Sequence, residues 1–286
     1  MRIVQLVPEI QGWSKSHRAK GKTIGFVPTM GFLHEGHLSL MSRGRSENDL
    51  LCASIFVNPT QFGPNEDYGT YPRDPDADTR KCRDAGVDVL FMPGADDVYG
   101  SEFQTYVEVE RVSRTLCGSA RPGHFRGVAT VVLKLFNMVL PDRAYFGMKD
   151  YQQLQVIRTM ARDLNLEVRI VPCSTVREPD GLAMSSRNSY LSPEERRQAV
   201  CLYEALLAAG RLFELGETRA RRYVEVMSER ISKEPDTAPD YVSLVDPETL
   251  HDLKEVHDRC LAALAVRIGK TRLIDNMVFE RTTKGA

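Results

Sequence analysis

The chain has 286 residues, and 38 lysines and arginines set against 39 aspartates and glutamates leave a formal net charge of −1. That length suits about two domains and a substantial core, while so even a charge excludes a global field for nucleic acid or anionic membrane, so any polyanion must be handled locally. No run approaches the roughly 18 to 20 apolar residues of a membrane span, and Met1-Arg2-Ile3-Val4 opens neither a signal h-region nor a cleavage site, so a cytoplasmic protein is expected.

Short apolar runs at 23–27, 50–57, 87–92, 144–147 and 168–173 recur between helical stretches. This spacing predicts βαβ units and a parallel sheet. The first run enters Pro28-Thr29-Met30-Gly31-Phe32-Leu33-His34-Glu35-Gly36-His37-Leu38. A strand leading through a Gly-punctuated turn into a helix delivers backbone N–H groups and imidazoles to the sheet edge where phosphates bind. His34 and His37 face the same way if the helix begins near Gly36 or slightly before it. There they would donate to phosphate oxygens, with Met30 and Gly31 lining a close backbone approach. A random H-x-x-H pair is more often a surface or capping pair; the preceding strand and the glycines reverse that preference.

The second run leads through Asn58-Pro59-Thr60-Gln61-Phe62. It places the Asn58 and Gln61 amides at a strand's carboxyl end, where a small polar substrate would be read. Six cysteines, at 52, 82, 117, 173, 201 and 260, contain no C-x-x-C and read as reduced, packed thiols. Val128, Val131, Val132, Leu135 and Val139 follow the spacing of a covering helix.

Farther on, Tyr145-Phe146-Gly147-Met148-Lys149-Asp150-Tyr151-Gln152-Gln153-Leu154 is again a strand ending in glycine before a helix. Asp150 suits that helix start, Lys149 could hold a phosphate as a point charge, and Gln153 could reach the same pocket. Gly181-Leu182-Ala183-Met184-Ser185-Ser186-Arg187-Asn188 offers hydroxyls, amides and one guanidinium as an anion cradle. After Ser192-Pro193, an N-cap followed by a first-turn proline, helical sequence is predicted to continue to about Ser232. A breaker-rich link at 235–239 then precedes strands at 241–245 and 261–268, the latter turning at Gly269-Lys270 into 271–274. The fold class expected is α/β, a Rossmann-like parallel sheet over 1–176 with a smaller α+β domain over 177–286.

Together these segments resemble the HIGH-type nucleotidyltransferase superfamily and, within it, the pantothenate synthetase (pantoate–β-alanine ligase) family. Pro28 to His37 resembles that family's HIGH motif, and Ala183-Met184-Ser185-Ser186-Arg187-Asn188 its KMSKS loop. Phe56 to Phe62, Tyr71-Pro72-Arg73, Arg121-Pro122-Gly123-His124-Phe125, Asp150 to Leu154 and Thr271 to Asn276 are similar to further signatures. Met148 stands where the family usually has Glu, a departure that leaves Lys149 in place.

The resemblance implies ATP-dependent adenylation of (R)-pantoate followed by attack of β-alanine, giving pantothenate, AMP and pyrophosphate. It implies ATP contacts at Met30, Gly31, His34, His37, Gly147, Met148, Lys149, Asp150, Val176, Met184, Ser185, Ser186 and Arg187. His37, His34, Lys149 and Arg187 would be catalytic, with His37 in the proton-donor role; Gln61, Gln153 and Asn58 would serve substrate, Gln61 also lying near β-alanine. Mg²⁺ is expected with the triphosphate. Asp74, Asp76 and Asp78 could approach it, though capping and solvating a helix start is the favoured reading for all three. The 58–73 segment and the 184–187 loop are candidate lids that keep water from the adenylate. A homodimer is implied, with neither nucleic acid nor membrane as partner.

Overall fold

A computed structural model describes residues 1–64 and 66–281; Asn65, within the 58–73 segment, and 282–286, at the end of the expected second domain, lie outside the described residues. The chain forms two compact units. One comprises 1–113, 121–148 and 153–176; the other comprises 114–120, 149–152 and 177–286.

In chain order, the elements up to residue 173 are β1 (Arg2–Val4), α1 (Val7–Arg18), β2 (Ile24–Thr29), α2 (Glu35–Glu47), β3 (Leu50–Ile55), α3 (Pro75–Asp84), β4 (Val89–Phe91), α4 (Ala95–Tyr99), α5 (Leu116–Ala120), α6 (His124–Val139), β5 (Arg143–Gly147), α7 (Tyr151–Asp163) and β6 (Arg169–Cys173). Of these, α5 lies in the second unit. The six strands are parallel in the order β1-β4-β3-β2-β5-β6. Ile24, Phe26 and Val27 in β2, and Leu51, Cys52 and Ala53 in β3, are fully buried. Strands buried on both faces read as continuous apolar runs, which is why the sheet is visible in the sequence.

The strand order reverses at β2, which has β3 on one side and β5 on the other. In open α/β sheets this switch point is where the strands' carboxyl ends form a crevice. The β2–β5 ladder runs only through Gly25↔Arg143 and Phe26↔Ala144. Pro28 therefore sits beyond the last pair on that side, where its missing N–H breaks no ladder. The structure extends β2 past Val27 to Thr29, and adds β1 and α1, which the apolar-run pattern does not reveal. Among the residues of α1 only Ile10 and Ser14 are buried, too few to print a helical stripe.

The second unit contains α8 (Pro193–Gln198), α9 (Cys201–Glu214), α10 (Ala220–Ile231), β7 (Thr237–Val245), β8 (Arg259–Ile268) and β9 (Thr271–Glu280). The antiparallel sheet runs β7-β8-β9. Its core joins Leu202, Leu206, Tyr223 and Met227 to Leu264 and Val266 of β8. Ser192 caps α8, its hydroxyl accepting from Glu195 N while the Glu195 carboxylate accepts from Ser192 N. The expected helix to about Ser232 is three helices, interrupted after Gln198 and again at Gly216, whose φ is +80°. Nor is 235–239 a link: β7 begins at Thr237 and carries Pro239 at a register shift on the edge strand. An edge bulge tolerates a proline that an inner strand would not. All six cysteines are free and buried.

Candidate active site

In the first unit, several of the expected residues gather where β2 ends. Gly31 and Phe32 adopt φ of +83° and +50°. A side chain at Gly31 would put Cβ 2.9 Å from Asp78 Oδ2 and 3.0 Å from Ile55 Cγ2, so this turn needs glycine for space as well as conformation. Asp78, 2 % exposed on α3, accepts from Phe32 N at 2.8 Å and from Leu33 N at 2.7 Å. Lys81, one turn on, donates to Leu33 O at 2.5 Å. The backbone strain at Phe32 is held by these bonds to the neighbouring helix.

His34 is the N-cap of α2, and its Nδ1 accepts from Gly36 N at 3.1 Å. His37, at the third helical position, has Nδ1 accepting from His34 N at 3.3 Å. The rings lie 4.1 Å apart between centroids. They are thus a capping pair and a candidate site at once. Because both Nδ1 atoms accept, each neutral imidazole carries its proton on Nε2. The pair therefore contributes two Nε2–H donors with fixed tautomers.

At the end of β3, Asn58 caps the short turn Pro59–Gln61. Its Oδ1 accepts from the Thr60 hydroxyl at 3.0 Å and the Tyr99 hydroxyl at 2.6 Å, and its Nδ2 donates to Gln61 Oε1 at 3.0 Å and Gly127 O at 3.2 Å. Asn58 is 1 % exposed. Its hydrogen-bonding capacity is spent inside the protein, so the expected substrate contact by Asn58 gives way to orienting Gln61. The bond fixes the Gln61 amide with Nε2 3.2 Å from Met30 Sδ. A Cβ on Gly127 would overlap the Thr60 carbonyl, so α6 packs on this turn backbone to backbone.

Gly147 and Met148 follow at the end of β5, which pairs with β2 and β6. Met148, Gln153 and Val176 are half-buried. The carboxyl edge of the sheet thus brings together Met30 and Gly31, Asn58 and Gln61, and Gly147, with Val176 three residues beyond β6.

The other expected residues belong to the second unit. Lys149 is half-buried and Asp150 exposed, and Lys149 O accepts from Asn276 Nδ2 at 2.7 Å. Neighbouring Gln152 is committed structurally, bonding Cys117 N at 2.9 Å and Thr115 O at 2.7 Å. In the 184–187 loop, Ser185 caps a short helical turn and its hydroxyl accepts from Arg187 N at 3.3 Å. That amide of the expected cradle is therefore turned inward. At the loop's base Arg177 forms a bidentate pair with Asp275, at 2.6 and 2.9 Å, and Asp275 Oδ1 accepts from Asn276 N at 2.8 Å. Asp275 and Asn276 thus anchor both Lys149's backbone and the 177–188 segment.

Sequence reasoning missed the parts played by Asp78, Lys81, Gly127 and Asp275, each distant in sequence from what it holds. Of the acidic cluster, Asp74 caps α3 by accepting from Ala77 N at 2.9 Å, whereas Asp78 clamps the 31–33 turn.

Residues 2–278 match a protein-family model described as pantoate-beta-alanine ligase. The pantothenate synthetase of Geobacter sulfurreducens is 55% identical over 279 residues, covering 98% of this chain and 99% of that protein. A crystal structure of pantothenate synthetase from Thermus thermophilus is similar with a TM-score of 0.93 at 47% identity, over 97% of this chain and 99% of that one. A pantoate-beta-alanine ligase from Francisella tularensis, complexed with beta-gamma ATP and beta-alanine, gives a TM-score of 0.80 at 36% identity over 97% of each chain.

Proposed function

The chain belongs to the pantoate–β-alanine ligase family, and from that premise we propose how its residues divide one ATP-driven condensation. The enzyme joins (R)-pantoate to β-alanine, giving pantothenate, AMP and pyrophosphate through a pantoyl adenylate. In the first step a pantoate carboxylate oxygen attacks the α-phosphorus of ATP and the bond to pyrophosphate breaks. In the second, the β-alanine nitrogen attacks the acyl carbon, AMP leaves, and the amine loses a proton.

The first step needs alignment and charge stabilisation more than a covalent nucleophile. His37 and His34 meet that need with Nε2–H, His37 acting as proton donor. The observation that supports this most directly is that both Nδ1 atoms are engaged by backbone N–H at the start of α2. Lys149 and Arg187 supply positive charge for the phosphates. Met30, Gly31, Gly147, Met148, Asp150, Val176, Met184, Ser185 and Ser186 form the remaining nucleotide contacts. Gln61 and Gln153 hold pantoate, with Gln61 also near β-alanine and Asn58 fixing the Gln61 amide.

Mg²⁺ enters this reading as the companion of the triphosphate. Among the described residues no group of three or more His, Cys, Asp or Glu side chains is placed to hold a metal ion, and Asp78 already accepts two amides. If bound, Mg²⁺ would neutralise charge on the triphosphate and would need few protein ligands. A homodimer in the cytoplasm completes the reading, and sedimentation at twice 32.2 kDa checks the assembly. No helix among the described residues is long and apolar enough to cross a membrane.

Counting AMP and pyrophosphate with each substrate omitted in turn tests the reaction order: pyrophosphate should form from ATP and pantoate alone, and AMP release should require β-alanine. His37→Ala is expected to slow single-turnover adenylation on the order of 10² to 10³, the usual cost of losing one preorganised donor; an unchanged rate removes His37 from the mechanism. Gln61→Ala should weaken pantoate and spare ATP, and the reverse pattern in a titration would reassign Gln61.

A further inference from the structure

The Arg121-Pro122-Gly123-His124-Phe125 motif has no part in the scheme above, yet its side chains converge on the backbone of Gln61. Arg121 pairs bidentately with Glu66, Nε to Oε1 and Nη2 to Oε2, both at 2.6 Å. Glu66 in turn accepts from Gly63 N at 3.2 Å, tying down the chain just after the Gln61 turn. On its other side Arg121 Nη1 lies 3.0 Å from His124 Nε2, and His124 Nδ1 lies 2.8 Å from Gln61 O.

Elementary donor counting fixes the proton on His124. A guanidinium nitrogen can only donate, so Nε2 must accept; Nδ1 then carries the hydrogen and donates to the Gln61 carbonyl. This is the tautomer opposite to that of His34 and His37. Charged groups facing the ring include Arg121, from the turn before α6, and Glu66, the partner of Arg121. Burial opposes ionisation of Glu66, but its bonds from Arg121 outweigh that and hold its carboxyl below the ordinary range. Glu66 therefore stays charged where an imidazole titrates. A second proton on His124 would place an Nε2–H against a guanidinium N–H at 3.0 Å, donor against donor and cation against cation.

We propose that His124 is a positioning residue for the acid substrate: as the neutral Nδ1–H tautomer it shares the Gln61 carbonyl with Arg121 Nη2, which donates to it at 3.4 Å, and accepts from Arg121 Nη1, so that a second proton sets the ring against Arg121 and loosens the Gln61 turn. The inference rests on the reading that Gln61 holds pantoate. It makes pantoate affinity fall toward acid pH, because a second proton on the ring sets it against the Arg121 guanidinium.

Two measurements test it. Long-range ¹H–¹⁵N correlation on the full-length wild-type protein at pH 8, with the His124 signals identified by their loss in His124→Asn, should show the Nδ1–H form; an Nε2–H tautomer or an imidazolium overturns the proposal. Because the tautomer is read on wild-type protein against its other five histidines, a poorly folding variant does not blunt the result. Kinetically, wild-type KM for pantoate should rise toward acid pH while KM for ATP and kcat follow a separate profile. His124→Asn keeps a donor for Gln61 O but does not titrate. Its KM for pantoate should be raised about 2- to 10-fold at pH 8, the worth of one ordinary hydrogen bond, and should lose the acid-side rise. An unchanged acid-side rise in the variant sinks the proposal. If Gln61→Ala weakens pantoate while His124→Asn matches wild type, only this inference fails; if Gln61→Ala leaves pantoate untouched, the assignment beneath it fails.

Discussion

The turn at 31–37 and the loop at 177–190 are expected to meet the same ligand chemistry, but they are secured by different means. In the first, backbone amides are bonded to a carboxylate 2 % exposed, and the helix that follows is capped by its own histidines. In the second, guanidinium–carboxylate pairs add to the loop's own backbone bonds, buried at the base between Arg177 and Asp275 and partly wet between Arg196 and Glu178 or Asp180. Amide-to-carboxylate bonds within a close-packed turn leave little room for alternative geometries. Ion pairs between long side chains tolerate more, and those near water weaken with salt and acid. The difference separates a turn secured by buried amide-to-carboxylate bonds from a loop whose ion pairs respond to salt and acid.

The harshest way to break that contrast is Asp275→Asn. Removing one partner of a buried pair leaves Arg177 uncompensated, at about 3–5 kcal/mol. Hydrogen exchange should accelerate across 177–190 while the amides of Phe32 and Leu33 keep their protection; unaltered exchange in the loop would show that the pair is not its anchor. Asp78→Ala should do the converse, exposing Phe32 and Leu33 at about 1–3 kcal/mol for each orphaned amide and slowing adenylation with the 177–190 amides unaffected. Adenylation at the wild-type rate would mean that the turn needs no clamp.

The smallest effect sharpens the comparison through pH. Asp180 is held below its ordinary value chiefly by its hydrogen bond from Arg196. A carboxyl lowered in the folded state contributes stability that is full above its unfolded value, about 3.9, and lost as pH falls through the lower folded value. Acid should therefore loosen the 177–190 segment over that window, by no more than about 1 kcal/mol for so exposed a pair, and Asp180→Asn should abolish the step. An acid step that persists in the variant assigns it to another group.

What the sequence reveals depends on how local the physics is. His34 and His37 announce themselves because strand, glycine turn and N-cap lie within about fifteen consecutive residues, and β2 and β3 because double burial leaves unbroken apolar runs. Asp78 lies 46 residues from Phe32 and looks like one more acidic residue at a helix start. Asn58 is readable as an amide at a strand end, but whether it faces substrate or protein is decided by Tyr99 and Gly127, far along the chain. The helix breaks and the early start of β7 elude sequence patterns for a related reason. Gly216 is one of many glycines until its left-handed φ is seen, and Pro239 signals a linker until an edge bulge accommodates it.

That bulge also bears on what happens when many copies of the chain are made at once. The open side of an edge strand is a template for pairing with other molecules, and a long apolar one invites aggregation. Along β7 the invitation is withdrawn by Pro239, which offers no N–H, by the register shift that follows it, and by Asp240, which engages Arg267 and Arg272. The residue most easily mistaken for the end of structure is thus placed to keep the small sheet from growing past its own boundary.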